Sequence, residues 1–302
     1  MTTCATASQA LHEPLAGTAA TATTWLLIEQ PGPWGSKALT ESHLDPAVGR
    51  ALESAADGTG VRVALIRRPG RHADCGRAIR RRVFAAHTAP GASWVRTTEI
   101  TDPAELLDLD FAALGAGARF DGTPAPAPLA LVCTNGKRDR CCALLGRPLA
   151  ETLAAQATCD TWEITHIGGH RFSPTLLLLP YGYAYGRMTP HAVKEATEAL
   201  RDGRVITENS RGRSTWDRPA QAADLALRAH LGEYGADAVT VTEVSGTHPE
   251  WTIRLRHAAA TWSVAVTSAA PAGATATPAS CGATPVPQER LTAARPRCEL
   301  RR

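Results

Sequence analysis

The segment from Cys133 to His170 constrains this chain more than any other, because it holds four cysteines and two histidines around one alternation of strand, loop and helix, with two thiols and the two imidazoles at spacings that suit a metal centre. PLALV before it is a short apolar, β-rich run, so Cys133 is expected where a buried strand opens into a loop. The loop TNGKRDR has turn residues and cations and no apolar face. ALLGRPLAETLAAQ then carries apolar side chains at helical spacing, which puts Cys141 and Cys142 at or just before a helix N-terminus. Exposed amides there, with Lys137, Arg138 and Arg140 nearby, favour a thiolate. TWEIT is a second strand, followed by His166-Ile167-Gly168-Gly169-His170, where paired glycines favour a loop whose bare backbone can pass close to a bulky centre.

Two thiolates and two imidazoles suit either a tetrahedral zinc or a two-iron, two-sulfur cluster. Structural zinc sites usually draw their cysteines from knuckles with two to four residues between them, whereas Cys133 and Cys142 enclose eight, a loop better matched to a larger group. In the oxidised state, two ferric ions, two sulfides and two thiolates cancel formally, which eases uptake of an electron relative to an all-cysteine cluster. Neutral histidine ligands keep a second ring nitrogen that can take a proton on reduction. Cys141, next to the proposed ligand, is an alternative to Cys142.

A length of 302 residues suggests two or three packed units, and a net charge of +3 gives no global field to draw nucleic acid or a membrane surface. Arginine supplies nearly all the positive charge, with lysine only at Lys37, Lys137 and Lys194, which reads as compositional bias before chemistry. No apolar run approaches the roughly 20 residues of a spanning helix, and the N-terminus lacks a basic-then-apolar leader, so a cytoplasmic protein is expected. In a reducing compartment, clustered cysteines bind metal or do redox work more often than they form disulfides.

Along the chain, TTWLLIEQPGPWG is a strand running into a rigid turn, residues 46–56 have helical spacing, and VRVALIRR and SWVRTTEI are strands. GRAIRRRVFAAHT fits helix or strand, and DPAELLDLDFAALGAG has an Asp cap with Pro at the first helical position. The Pro- and Gly-rich GARFDGTPAPAP marks a joint, giving an N-terminal α/β domain over 1–122. A central domain over 126–207 adds the hairpin TLLLLPYGYAYGRM and the helix TPHAVKEATEALRDGR, and its βαββα order is that of a thioredoxin-like sheet. The remainder, 208–302, is expected to be a smaller α+β region of one helix and a meander, with a low-complexity stretch, SAAPAGATATPASCGATPVP, in a flexible tail. No internal repeat is visible.

LVCTNGKRDRCCALLGRPLAETL, THIGGHRFSPTLLLLPYGYAYGRMTP and EPLAGTAATATTWLLIEQPGPWG resemble the sucrase/ferredoxin-like family, most weakly after about residue 260. The resemblance implies a thioredoxin-like ferredoxin whose two-iron, two-sulfur cluster is held by Cys133, Cys142, His166 and His170, and it implies electron transfer. Nothing in it implies sugar hydrolysis. An electron carrier serving a redox protein partner is therefore expected, ahead of a cluster-dependent reductase of a small molecule or disulfide, or a zinc-stabilised interaction module. No flavin, nicotinamide or nucleotide fingerprint is present, and SRGRS at 210–214 reads as an ordinary loop rather than a phosphate site.

The other cysteines read more blandly. Cys159 is expected to be a packed thiol, Cys75, Cys281 and Cys298 free thiols in polar or low-complexity surroundings, and Cys4 part of an unpatterned N-terminus. Arg171 and Arg187, with the cations of the cysteine loop, would dock an acidic redox partner, donate hydrogen bonds that tune the cluster, or simply be solvated. The seven tryptophans sit mostly in or beside expected strands and read as core.

Overall fold

Apolar β-rich runs separated by capped helices build a mixed α/β fold with two sheets in the computed structural model, which describes residues 3–70, 80–126 and 128–299. The first part holds α1 (Cys4–Ala10), β1 (Thr24–Glu29), α2 (Pro46–Ala56), β2 (Val61–Arg67), β3 (Arg81–His87), β4 (Trp94–Ile100), α3 (Phe111–Gly115) and the short β5 (Thr123–Pro124). Next come β6 (Leu129–Cys133), α4 (Arg140–Gln156), β7 (Asp160–Ile164), β8 (Leu176–Leu179), β9 (Tyr183–Tyr185), α5 (Pro190–Arg201), β10 (Ser210–Arg213) and α6 (Arg218–Leu231). The last part is β11 (Val239–Thr247), β12 (Glu250–His257), β13 (Ala260–Ala269), β14 (Arg290–Ala293) and β15 (Arg297–Glu299).

Ten strands form one mixed sheet in the order β10-β9-β8-β6-β7-β2-β1-β3-β4-β5, and β11–β15 form a separate antiparallel sheet. A repeat hidden in the sequence shows in this order: β2-β1-β3-β4 and β7-β6-β8-β9 have the same connectivity, each with a parallel pair bridged by a helix and two antiparallel strands beyond it. The units meet edge to edge where β2 pairs antiparallel with β7, Ile66 opposite Ile164 and Arg67 opposite Glu163. The sheet therefore joins the two units on either side of the GARFDGTPAPAP joint. One core beneath it draws on both units, including Trp25, Phe84, Leu131, Trp162 and Leu177, while α2 with α3 and α4 with α5 cover separate cores.

Several local expectations change. DPAELLDLDFAALGAG is a 3-10 turn over Pro103–Asp108 followed by α3, because Asp102 and then Asp110 each accept an amide and start a turn afresh. Residues 81–87 of the ambiguous GRAIRRRVFAAHT form β3, while Cys75 lies outside the described residues. SRGR is β10, an edge strand of the large sheet, and its Arg211 and Arg213 are fully buried. Cys4 opens α1, capped by Thr3, and is buried rather than loose. Within itself the low-complexity stretch makes the isolated bridge between Thr277 and Val286 and two short turns, Ala274 N–H to the Pro271 carbonyl and Ala283 N–H to the Ser280 carbonyl, and it crosses the histidine loop by contacts with other elements. Among the described residues, no helix is long and apolar enough to cross a membrane.

Candidate metal centre

The centre lies at the carboxyl ends of β6 and β7, the end of an open α/β sheet where ligands commonly sit. Cys133 is the last residue of β6, and parallel pairing sets it opposite Ile164, so His166 emerges two residues further on beside it. Cys142 comes from the first turn of α4, whose cap is Asp139: its carboxylate accepts the Cys141 N–H at 2.8 Å, and its carbonyl accepts the Cys142 N–H at 3.1 Å. Gly146 lets α4 close on β6, since a Cβ there would meet the Cys133 carbonyl at 2.1 Å. His170 returns towards His166 through Gly168 and Gly169, both at positive φ (76° and 70°), conformations open to glycine at little cost. The two imidazole centroids are 5.1 Å apart.

One ligand atom from each of Cys133, Cys142 and His166 lies within 4.8 Å of the others, enough to hold a metal. His170 stands outside that mutual set. Its Nε2 contacts the Ala279 carbonyl at 2.8 Å and lies 3.6 Å from Asp139, while the Nδ1 atoms of both His166 and His170 are buried without a hydrogen-bond partner. A histidine tied at one ring nitrogen, with the other buried and unpaired, is in the ordinary posture of a metal ligand. Cys141 turns away from this centre, towards Cys4 and Cys281.

The electrostatics favour one thiolate even without metal. The Cys142 thiol and the His166 ring hold Cys133 well below the usual cysteine range, against the opposing effect of burial. The same pairing, with burial, pushes Cys142 up, so the two sulfurs share one proton. Burial keeps His170 below its ordinary range although Asp139 opposes it, which leaves a neutral ring near neutral pH.

The cations beside the thiols are not those of the cysteine loop, since Lys137, Arg138 and Arg140 are exposed. They are Arg62, which donates to the His166 carbonyl at 3.3 Å, and Arg211, which donates to the Gly168 carbonyl at 3.1 Å. Burial lowers Arg211 to about 10, opposed by the charge of Cys133 and Cys142; Arg62 is likewise lowered by burial and supported by Cys133. Neither arginine was read from the sequence as part of this centre. Arg62 sat inside a strand pattern, and Arg211 in a polar run that read as loop. Arg171 pairs with Glu13 and Gln288, and Arg187 donates to the Ser8 carbonyl and hydroxyl, so both fasten the N-terminal segment rather than face solvent. Cys159 packs beside the core under α4 and α5, and Cys298 is exposed on β15. A cavity of about 510 Å³ opens next to His170, bounded by Arg171, Arg218, Trp251 and Glu289.

The sucrase/ferredoxin-like family model matches residues 15–212, from the segment before β1 to β10, and so takes in all four of these side chains. The chain belongs to the sucrase/ferredoxin-like family. Over 96 residues it is 27% identical to the altered inheritance of mitochondria protein 32 of Candida glabrata, a match covering 27% of this chain and 31% of that protein. The chain thus spans under a third of the length of that curated relative. No solved structure matches.

Proposed function

We propose that the chain is an electron-transfer protein that holds one two-iron, two-sulfur cluster through Cys133, Cys142, His166 and His170, on a thioredoxin-like unit formed by β6–β9 with α4 and α5. The observation that carries this reading is the close set of Cys133, Cys142 and His166, with buried, unpartnered Nδ1 atoms on both His166 and the neighbouring His170. A single zinc would draw all four donors to about 2.0–2.3 Å of one point, which fits poorly with His170 standing outside the set formed by the other three. The strand order β7-β6-β8-β9 supports the thioredoxin-like part.

When bound, such a cluster supplies one-electron transfer at a potential above that of an all-thiolate cluster, because two neutral rings replace two anions. The chain's own residues set the conditions. The Ala279 carbonyl orients His170 by its contact with Nε2, Ile167 and Trp162 exclude water from the inner side, and Arg62 and Arg211 offset negative charge from within the fold. The imidazole nitrogens turned away from the centre hold the proton that can accompany the electron. The partner on this reading is a redox protein. The cavity beside His170 favours a second reading, a reductase whose small-molecule substrate sits there and takes electrons from the centre.

The test is the midpoint potential of the intact protein against pH. Coupling to an imidazole proton predicts a fall approaching about 59 mV per pH unit above neutrality. A flat line across roughly pH 6 to 10 contradicts it. His170→Cys should keep the visible absorption and lower the potential, since an added thiolate disfavours the extra electron.

A further inference from the structure

Beyond the centre proposed above lies a second group of donors. Cys4 from the first residue of α1, Cys141 from the first turn of α4 and Cys281 from the stretch between β13 and β14 bring their sulfurs together from segments far apart in the chain. The Sγ atoms lie 3.4 Å (Cys4 to Cys141), 3.6 Å (Cys4 to Cys281) and 3.3 Å (Cys141 to Cys281) apart. Asp139 completes the group: one carboxylate oxygen accepts the Cys141 N–H at 2.8 Å, the other accepts the Cys281 N–H at 2.7 Å, and both lie 3.8 Å from the Cys4 sulfur.

We propose that Cys4, Cys141, Cys281 and the Asp139 carboxylate form a second metal site that takes zinc. Four-coordinate zinc with bonds of about 2.3 Å sets its sulfurs about 3.8 Å apart, so the three thiols already span one face of that tetrahedron to within a few tenths of an ångström. A disulfide would join two sulfurs at about 2.05 Å and leave the third without a role, and no pair here is that close. The carboxylate, fixed by two amides, sits where a fourth ligand belongs. Cys4 is 1% exposed, Cys141 0% and Asp139 4%, with Cys281 partly buried, and four protein donors leave no open position of the catalytic kind. Three soft sulfurs with one oxygen also favour zinc over magnesium or calcium. On binding, the three thiols release their protons to solvent and the dication takes their place.

The second site gives adjacent cysteines separate duties, Cys142 facing the first centre and Cys141 the second. It ties the N-terminal helix and the low-complexity stretch to the cap of α4. Asp139 joins the two centres, since one of its oxygens is a ligand here while lying 3.6 Å from His170 Nε2.

Zinc and iron are measured together in the full chain, purified without chelator, and in three variants. About one zinc per chain is expected beside the iron. Cys281→Ala, at a partly buried position, should lose most of the zinc while keeping the visible absorption of the first centre, and Cys281→His should recover the zinc. Cys133→Ser should lose iron and keep zinc, which separates failure of this site from failure of the electron-transfer reading. If the folded protein carries no zinc, and zinc-depleted protein shows no sulfur-to-cobalt charge-transfer band on adding Co²⁺, the proposal is overturned. It is equally overturned if zinc leaves with iron in Cys133→Ser, or if mass spectrometry finds a native disulfide between any two of Cys4, Cys141 and Cys281.

Discussion

Gly169 shows how little room the histidine loop has. A Cβ there would come within 2.1 Å of the Arg211 guanidinium, which is held by Thr18 and Gly168 and cannot easily give way, whereas one at Gly168 would meet nothing within 4 Å. Both glycines have positive φ. Gly168→Ala should therefore cost about 1–2 kcal/mol from backbone strain alone. Gly169→Ala should cost more and move Arg211; urea unfolding of the two proteins orders them, and equal losses would deny Arg211 its fixed place. At Glu13, burial alone would raise the carboxyl, but the Arg171 guanidinium, with Ser8 and Thr277, brings it below the usual range. A depressed carboxyl stabilises the fold above its unfolded-state pKa, and that contribution is lost as pH falls through the folded value. The stability gap between the protein and Glu13→Gln should hold from neutrality into mild acid and then close, as followed by unfolding midpoints across an acid series. That Cys133, Cys142 and His166 would gather was legible because thiols and imidazoles are chemically rare and fall here around one strand, loop and helix. Arg62, Arg211 and Asp139 were not, because arginine is abundant in this chain and an N-cap aspartate is ordinary.

Among the elements, the pairing of β2 with β7 is what makes two units one sheet. Beside that seam Arg67 donates to Glu163 at 2.7 Å, Thr134 donates to the same carboxylate oxygen at 2.8 Å, and Arg67 also reaches the Gly32 carbonyl at 2.6 Å. Removing one member leaves a buried charge uncompensated, so Glu163→Ala should lower the unfolding free energy by about 3–5 kcal/mol, with Arg67→Met/Glu163→Met recovering much of it. A loss no larger than about 1 kcal/mol would mean the pair is solvated and does not secure the seam. Period-2 and helical patterns located these elements well. They could not show that β7 continues onto β2, because pairing between distant strands leaves no local mark. The stretch between β13 and β14 shows a related limit: its composition supplies little order from within, and its hydrogen bonds to His170, Asp139, Glu13 and Arg171 come from elsewhere. Replacing residues 270–289 with a Gly/Ser linker should leave the first centre assembled but speed its bleaching by an iron chelator several-fold. An unchanged rate would deny the stretch any shielding role.

At the scale of the whole molecule, two units of like topology share a core, and in the described residues the thiol and imidazole donors converge on the second of them. The first unit supplies Arg62 from its own β2, so the centre depends on both although the cysteines and histidines come from one. The C-terminal sheet closes the other side, bounding the cavity beside His170 with Trp251 and Ser268. Expectation and structure agree on a mixed α/β chain of this family, and the sheet shows a continuity that composition and Pro/Gly joints could not convey. The most direct test of the account is iron and acid-labile sulfide in anaerobically purified protein, with electron paramagnetic resonance after dithionite reduction. About two of each per chain are predicted, with a spin-half signal lost in Cys133→Ser and in Cys142→Ser but kept in Cys141→Ser. A colourless folded protein without sulfide, or a signal that survives both of the first two substitutions, would contradict it.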